Sequence, residues 1–166
     1  SVYIGSLDYR FDFDALEILC KSYSSHSFDI YGPIEKNSEN KVSVLKEKYK
    51  NLNFYGAVSY NDVPVILSKY KVGLLLLNDH LSNKGRSPMK LWEYAASGLI
   101  VLYSQVEHDS TYDFLFKYNK SNLVEKYLLA YEMTYNQDIK KSLMQYSWHN
   151  KVREIETIIS EFINDQ

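Results

Sequence analysis

Val72 to Leu77 reads VGLLLL, an apolar run with no polar position anywhere along it. As a strand it has no face to offer water, so it must be covered on both sides, which is the situation of a central strand in a parallel sheet. A second such run, Leu99 to Tyr103 (LIVLY), follows it, and the segment between them carries a helical pattern ending at Gly98. Strand, helix and strand in that order demand a right-handed crossover. This unit restricts the chain to an α/β architecture.

The rest of the chain repeats the alternation. Val2 to Ile4 is a short strand ending at Gly5-Ser6, and Phe13, Leu16, Leu19, Cys20 and Tyr23 recur at helical spacing from a start near Asp12. Ser27 to Tyr31 is a second strand, closed by Gly32-Pro33. A peripheral helix is expected within Glu35 to Lys50. Asn53 to Tyr55 is a third strand ending at Gly56, and Asn61 or Asp62 is expected to cap a helix through Val63, Ile66, Leu67 and Tyr70. Phe114 to Tyr118 reads as a weak last strand. Helices are expected at Asn122 to Tyr135 and at Asp138 to Phe162, the latter amphipathic through Val152, Ile155, Ile158, Ile159 and Phe162. Short connections between alternating elements give a parallel sheet of about six strands with helices on both faces.

Composition narrows the function classes. At 166 residues the chain fits one domain with a sizeable core. Its 19 basic and 21 acidic residues are well mixed, for a formal net charge of -2, so no nucleic-acid surface is expected. The single cysteine, Cys20, rules out a disulfide framework and a cysteine metal site. The longest apolar run is far shorter than the ~20 residues of a membrane span. The chain reads as cytoplasmic, and its opening SVYIG, a strand without an initiator methionine, suggests a domain cut from something longer.

Ser87 to Val101 carries the chemistry. Ser87 suits an N-cap and Pro88 a first helical position, leaving the N–H groups of Met89, Lys90 and Leu91 pointing out of the helix start. That is an anion site, and a phosphate is its natural occupant. Glu93 lies one turn further in and leans back toward that start, within reach of hydroxyls beside a bound phosphate. Ala95, Ala96 and Ser97 are small enough for close approach to a sheet, and Gly98 suits the left-handed position after the helix.

YIGSLDYRFD, NLNFYGAVSYNDVPVILSKYKVGLLLL, GRSPMKLWEYAASGLIVL and the late YSW together resemble the C-terminal, donor-binding domain of GT-B glycosyltransferases of the bacterial surface-polysaccharide type. The likeness runs from Val2 to about Ile163. It implies a Rossmann-like half of a GT-B fold, a single donor-binding domain over residues 1–166, with 147–166 forming a C-terminal helix that packs toward a missing N-terminal acceptor domain. It implies a nucleotide sugar, UDP-linked or related, as substrate, no obligatory metal, and transfer to a glycan or lipid-linked acceptor. It also allows peripheral association of the full enzyme with the inner face of the membrane. By position, Gly5, Ser6, Arg86, Ser87, Met89 and Lys90 would meet the diphosphate, Glu93 the ribose, and Tyr31, Gly32, Gly56, Ala57 and Val58 the base. Asp79 and His80, in the long loop Asn78 to Arg86, would approach the donor sugar.

One departure from the pattern is informative. Many retaining members carry E-x7-E, and eight residues before Glu93 stands Gly85 (93 − 8 = 85), so no catalytic residue is assigned and the stereochemical outcome stays open. Asp12-Phe13-Asp14 matches a metal-binding D-x-D, but at a helix start it reads first as a cap. Arg10 could meet phosphate or pair with Asp8 or Asp12, and Trp148 could pack in a core or toward the missing half. The rival reading of the whole chain is a non-catalytic flavodoxin-like nucleotide-binding or protein-interaction module.

Overall fold

The computed structural model describes residues 1–84, 89–106, 112–135, 139, 141, 143, 144 and 147–164. The chain divides into two compact units, Ser1–Tyr135 and Asn136–Gln166. The first holds a six-stranded sheet in the order β3-β2-β1-β4-β5-β6, built from β1(Val2–Ile4), β2(Phe28–Tyr31), β3(Leu52–Gly56), β4(Val72–Leu75), β5(Ile100–Tyr103) and β6(Leu115–Lys117). All five neighbouring pairs are parallel. This is a Rossmann-like arrangement, in which the strand order reverses between β1 and β4.

The helices are α1(Phe13–Ser22), α2(Glu39–Lys48), α3(Val63–Leu67), α4(Met89–Ala96) and α5(Leu123–Glu132). Right-handed crossovers send α1 and α4 to opposite faces, because the chain moves outward from β1 and from β4 in opposite directions; α5 packs against α1. The expected burial of the central run is met: Val72, Leu74, Leu76, Val101 and Leu102 are fully buried. Ser104 continues the β4–β5 ladder with its side chain, donating to the Leu77 carbonyl at 2.6 Å and accepting from its N–H at 3.1 Å. Cys20 is buried, and burial pushes its thiol up to about 12.

Several local expectations are refined. The helix expected within Glu35 to Lys50 opens with a 3-10 turn at Lys36–Ser38 before α2. Neither Asn61 nor Asp62 caps α3 through its side chain; a 3-10 turn at Tyr60–Asp62 feeds the helix instead, and α3 is only five residues long. Asp12 does cap α1, accepting the Ala15 N–H at 2.9 Å, which is the capping reading of the D-x-D. Helix α4 ends as expected, with Gly98 at φ 91° and paired bonds from Gly98 N to Ala95 O and Leu99 N to Tyr94 O, both 3.0 Å.

The reason α4 lies close to the sheet is different from the one the sequence suggested. Ala95 is buried, but Ala96 is exposed. The close contact is made by Gly73 of β4: a Cβ there would sit 2.5 Å from Cδ2 of the Tyr94 ring.

In the second unit, α6(Trp148–Asn164) is amphipathic, and Trp148, Ile158 and Phe162 are 77%, 61% and 72% exposed. Trp148 is therefore not a core residue. Asp138, where this helix was expected to start, lies outside the described residues. Among the described residues no helix is long and apolar enough to cross a membrane.

Candidate functional site

The strand-order reversal leaves a crevice, and its walls follow from unfinished pairing. β1 pairs with β2 over three residues, but with β4 only at Val2↔Gly73. Beyond that point the N–H and C=O of Ile4 face the gap without a strand to meet, and buried backbone groups must be satisfied. Side chains of α4 do this. The Tyr94 hydroxyl accepts from Ile4 N at 2.8 Å, and Lys90 Nζ donates to Ile4 O at 2.8 Å. Two α4 side chains thus hold the crevice open at the carboxyl edge of the sheet, where α/β folds of this order bind ligands.

A cleft of about 290 Å³ opens there, lined among others by Tyr3, Ser6, Asp8, Arg10, Met89 and Lys90. Arg10 resolves its two expected roles in favour of an ion pair with Asp8, donating from Nε to both carboxylate oxygens at 3.0 and 2.9 Å as well as from a terminal nitrogen. Asp8, 2% exposed, also accepts the Arg10 N–H at 2.8 Å. The hydrogen bond to Asp8 holds the Arg10 guanidinium well above its usual range. With one carboxylate against two cations, the lining carries a positive surplus suited to an anion.

The three glycines at strand ends each serve this edge. Gly5 donates to Tyr31 O at 2.8 Å and Gly32 to Gly56 O at 2.7 Å, so the ends of β1, β2 and β3 are tied in series. A side chain on Gly5 would collide with the Lys90 ammonium, and one on Gly32, at φ 140°, with the Gly5 carbonyl. Gly56, at φ 74°, needs glycine for its backbone alone.

Of the residues assigned from sequence, Ser6, Met89 and Lys90 come together in the cleft, and Gly5 lies against Lys90. Arg86 and Ser87 lie outside the described residues, as does Gly85. Glu93 is exposed on α4, forms no ion pair among the described residues and lines neither this cleft nor the larger cavity. Tyr31 stacks on Tyr55 with ring centroids 4.6 Å apart and meets the Tyr70 hydroxyl at 3.0 Å. Ala57 and Val58 follow on the surface. His80 is engaged locally: its Nδ1 accepts the Ser82 N–H at 3.1 Å, and its ring packs edge-on to Tyr9. Sequence reasoning missed Tyr94, Tyr3 and Asp8. Gly73 was the available signal, since a glycine inside an apolar strand marks a close approach.

A larger cavity of about 700 Å³ adjoins the cleft across Leu77, which lines both. It is bounded by the carboxyl ends of β4, β5 and β6 and by the start of α1, and Asp79, Ser104, Gln105, Lys117 and Tyr118 are among its walls.

No family model matches the sequence, and no curated protein sequence matches it. Solved structures do share its fold. AviGT4, a glycosyltransferase involved in avilamycin A biosynthesis, matches with a TM-score of 0.68 at 12% identity over 94% of this chain and 48% of its own. HepE from Anabaena, in complex with UDP and glucose, matches at 0.56 and 15% identity over 99% of this chain and 48% of its own. UDP-GlcNAc 2-epimerase from Neisseria meningitidis, bound to UDP-GlcNAc, matches at 0.55 and 17% over 86% and 38%. The chain thus spans about half the length of AviGT4 and of HepE and shares with them its Rossmann-like fold.

Proposed function

We propose that this chain is the nucleotide-sugar-binding half of a GT-B glycosyltransferase, which transfers a sugar from a nucleotide-diphosphate donor to a glycan or lipid-linked acceptor in surface polysaccharide synthesis at the cytoplasmic side of the membrane. The observation that carries the reading is the crevice between β1 and β4, lined by the α4 start and the Lys90 ammonium. In this reading the diphosphate is held by Gly5, Ser6, Arg86, Ser87, Met89 and Lys90, and the ribose by Glu93. The base lies along the loops after β2 and β3, at Tyr31, Gly32, Gly56, Ala57 and Val58. The carboxylate of Glu93, exposed and in no ion pair among the described residues, can accept from two adjacent hydroxyls.

The chemistry asked of these residues is positioning of the donor and stabilisation of charge on the departing diphosphate. The acceptor site and any catalytic base belong to another domain. The chain alone therefore binds nucleotide with little turnover, and residues 147–166 pack toward that domain.

Thermal shift tests this directly. A ligand at ~100 times its Kd adds about 2.7 kcal/mol, and at roughly 2–4 °C per kcal/mol the melting point should rise by about 5–10 °C with UDP or a related nucleotide. Glu93→Ala should abolish most of that rise and leave the unliganded melting point unchanged. Absence of any response to UDP, GDP, ADP or their sugar conjugates overturns the reading in favour of a non-catalytic module.

A further inference from the structure

We propose that Asn83 is a positioning residue of the nucleotide cleft: from inside the loop after β4 it fixes the main chain that carries Arg10. This role rests on the nucleotide-binding reading above and brings in two residues, Asn83 and Arg10, to which that reading gives no part. The loop after β4 is mostly polar, yet Asn83 within it is fully buried. Its Nδ2 faces three oxygens, donating to the Arg10 carbonyl at 3.1 Å, the Asn78 carbonyl at 2.9 Å and the Asn78 Oδ1 at 3.2 Å. Asn78 acts beside it. Its backbone N–H donates to the same Arg10 carbonyl at 2.9 Å, and its Nδ2 to the carbonyls of Tyr9 and Phe11 at 2.6 and 3.4 Å. Three successive carbonyls of the loop after β1 are thus held by two asparagines of the loop after β4. The seam continues where Phe11 bridges Leu77 and the Asp12 N–H donates to the Leu76 carbonyl at 3.1 Å.

The middle residue of the clamped run points its side chain into the cleft. Arg10 gives its Nε and one terminal nitrogen to Asp8, and its other terminal nitrogen makes no hydrogen bond among the described residues. A guanidinium is a rigid, planar fork of donors, so one edge on Asp8 leaves the opposite edge for a second oxyanion. Arg10 and Lys90 line the cleft together, and a diphosphate there takes that edge. Asp8 sets the guanidinium relative to its own loop, and the two asparagines set that loop relative to β4. Arg10 therefore points where Asn83 lets it point.

Stability alone does not account for an asparagine here. Its Oδ1 is buried without a hydrogen-bond partner among the described residues, and an unsatisfied buried acceptor opposes folding. What Asn83 supplies is a pair of donors at one place, and the Arg10 carbonyl is at that place.

Calorimetric titration with UDP of the wild type, Asn83→Ala, Arg10→Gln and the double variant, each below its melting temperature, tests the role. Glutamine keeps a donor for Asp8 and removes the cation. Arg10→Gln should weaken binding about 10- to 100-fold, the range of a charge-assisted bond, and Asn83→Ala about three- to tenfold. In the Arg10→Gln background Asn83→Ala should add less than about twofold, because residues that act through one another are not additive. Asn83→Ser, which retains a single donor, should fall between wild type and Asn83→Ala, and it carries the same cycle if the alanine variant does not fold. Equal weakening by Asn83→Ala in both backgrounds marks a residue of the fold only and overturns the proposal. Unchanged UDP affinity in Asn83→Ala or in Arg10→Gln overturns it as well. A wild-type protein that binds none of UDP, GDP and ADP refutes the nucleotide reading, and this role falls with it; a wild-type protein that binds UDP with an additive cycle refutes this role alone.

Discussion

The two openings along the carboxyl edge of the sheet share Leu77 and are built in opposite ways. At the β1–β4 crevice the polar groups at its base are already engaged with protein: Tyr94 and Lys90 on Ile4, Arg10 on Asp8. At the β4–β6 cavity the charged side chains of the walls form no ion pair with one another among the described residues. The first is pre-organised, so its residues contribute to stability as well as to binding. The second mixes groups the fold uses, the Asp12 cap of α1 and the Ser104 bridge to Leu77, with the charged side chains of Asp79, Lys84, Lys117 and Lys120, which hold no element together through an ion pair among the described residues.

The largest expected break in that contrast is Gly73→Ala. Its Cβ would meet a buried aromatic ring at 2.5 Å, and overpacking of this kind costs about 2–3 kcal/mol. Circular-dichroism melting should show a fall of about 4–12 °C, with nucleotide binding lost as α4 is pushed away. Tyr94→Phe comes next: it leaves the Ile4 N–H without a partner and should cost about 1–2 kcal/mol in urea unfolding. Lys90→Met separates the roles within the crevice. Stability should drop by about 0.5–1 kcal/mol, while UDP affinity measured by calorimetry should drop about 10- to 100-fold, the range of a charge-assisted bond.

The smallest effect is one of pH. Burial raises the Asp12 carboxyl above its ordinary value of 3.8, although the Ala15 N–H opposes this. The folded state then takes the proton more readily than the unfolded chain, so this group's contribution is greatest below 3.8 and declines as pH rises through the raised folded value. Asp12→Asn keeps a capping side chain and removes the titration. Melting points of the two proteins should converge in acid, with the variant the more stable near neutrality. A wild-type advantage at neutral pH would mean that the helix-start charge outweighs its burial.

Much of the fold was legible because burial leaves a periodic trace. VGLLLL and LIVLY have no polar face, and they proved to be the adjacent central strands β4 and β5. The end of α4 at Gly98 was legible for a similar reason, since few residues other than glycine adopt its left-handed backbone. The site was readable only in part. Ser6, Met89 and Lys90 followed from position at a strand end and a helix start. Tyr94 and Asp8 did not, because each is defined by a partner on another element: Ile4, 90 residues away, and Arg10, whose choice between two aspartates depended on the loop's path.

Local chemistry along the chain thus determined the alternation of strands and helices, the parallel sheet, and an anion-seeking helix start facing its carboxyl edge. Those properties depend on hydrophobic period, capping and backbone freedom, all of which act between near neighbours in sequence. Only the tertiary structure decided that β1 and β4 part after one paired residue, that α4 fills the gap with a tyrosine and a lysine, and that a second cavity opens beyond Leu77. The physical reason is the same in each case. An unsatisfied backbone group exists only once the chain has folded and removed it from water.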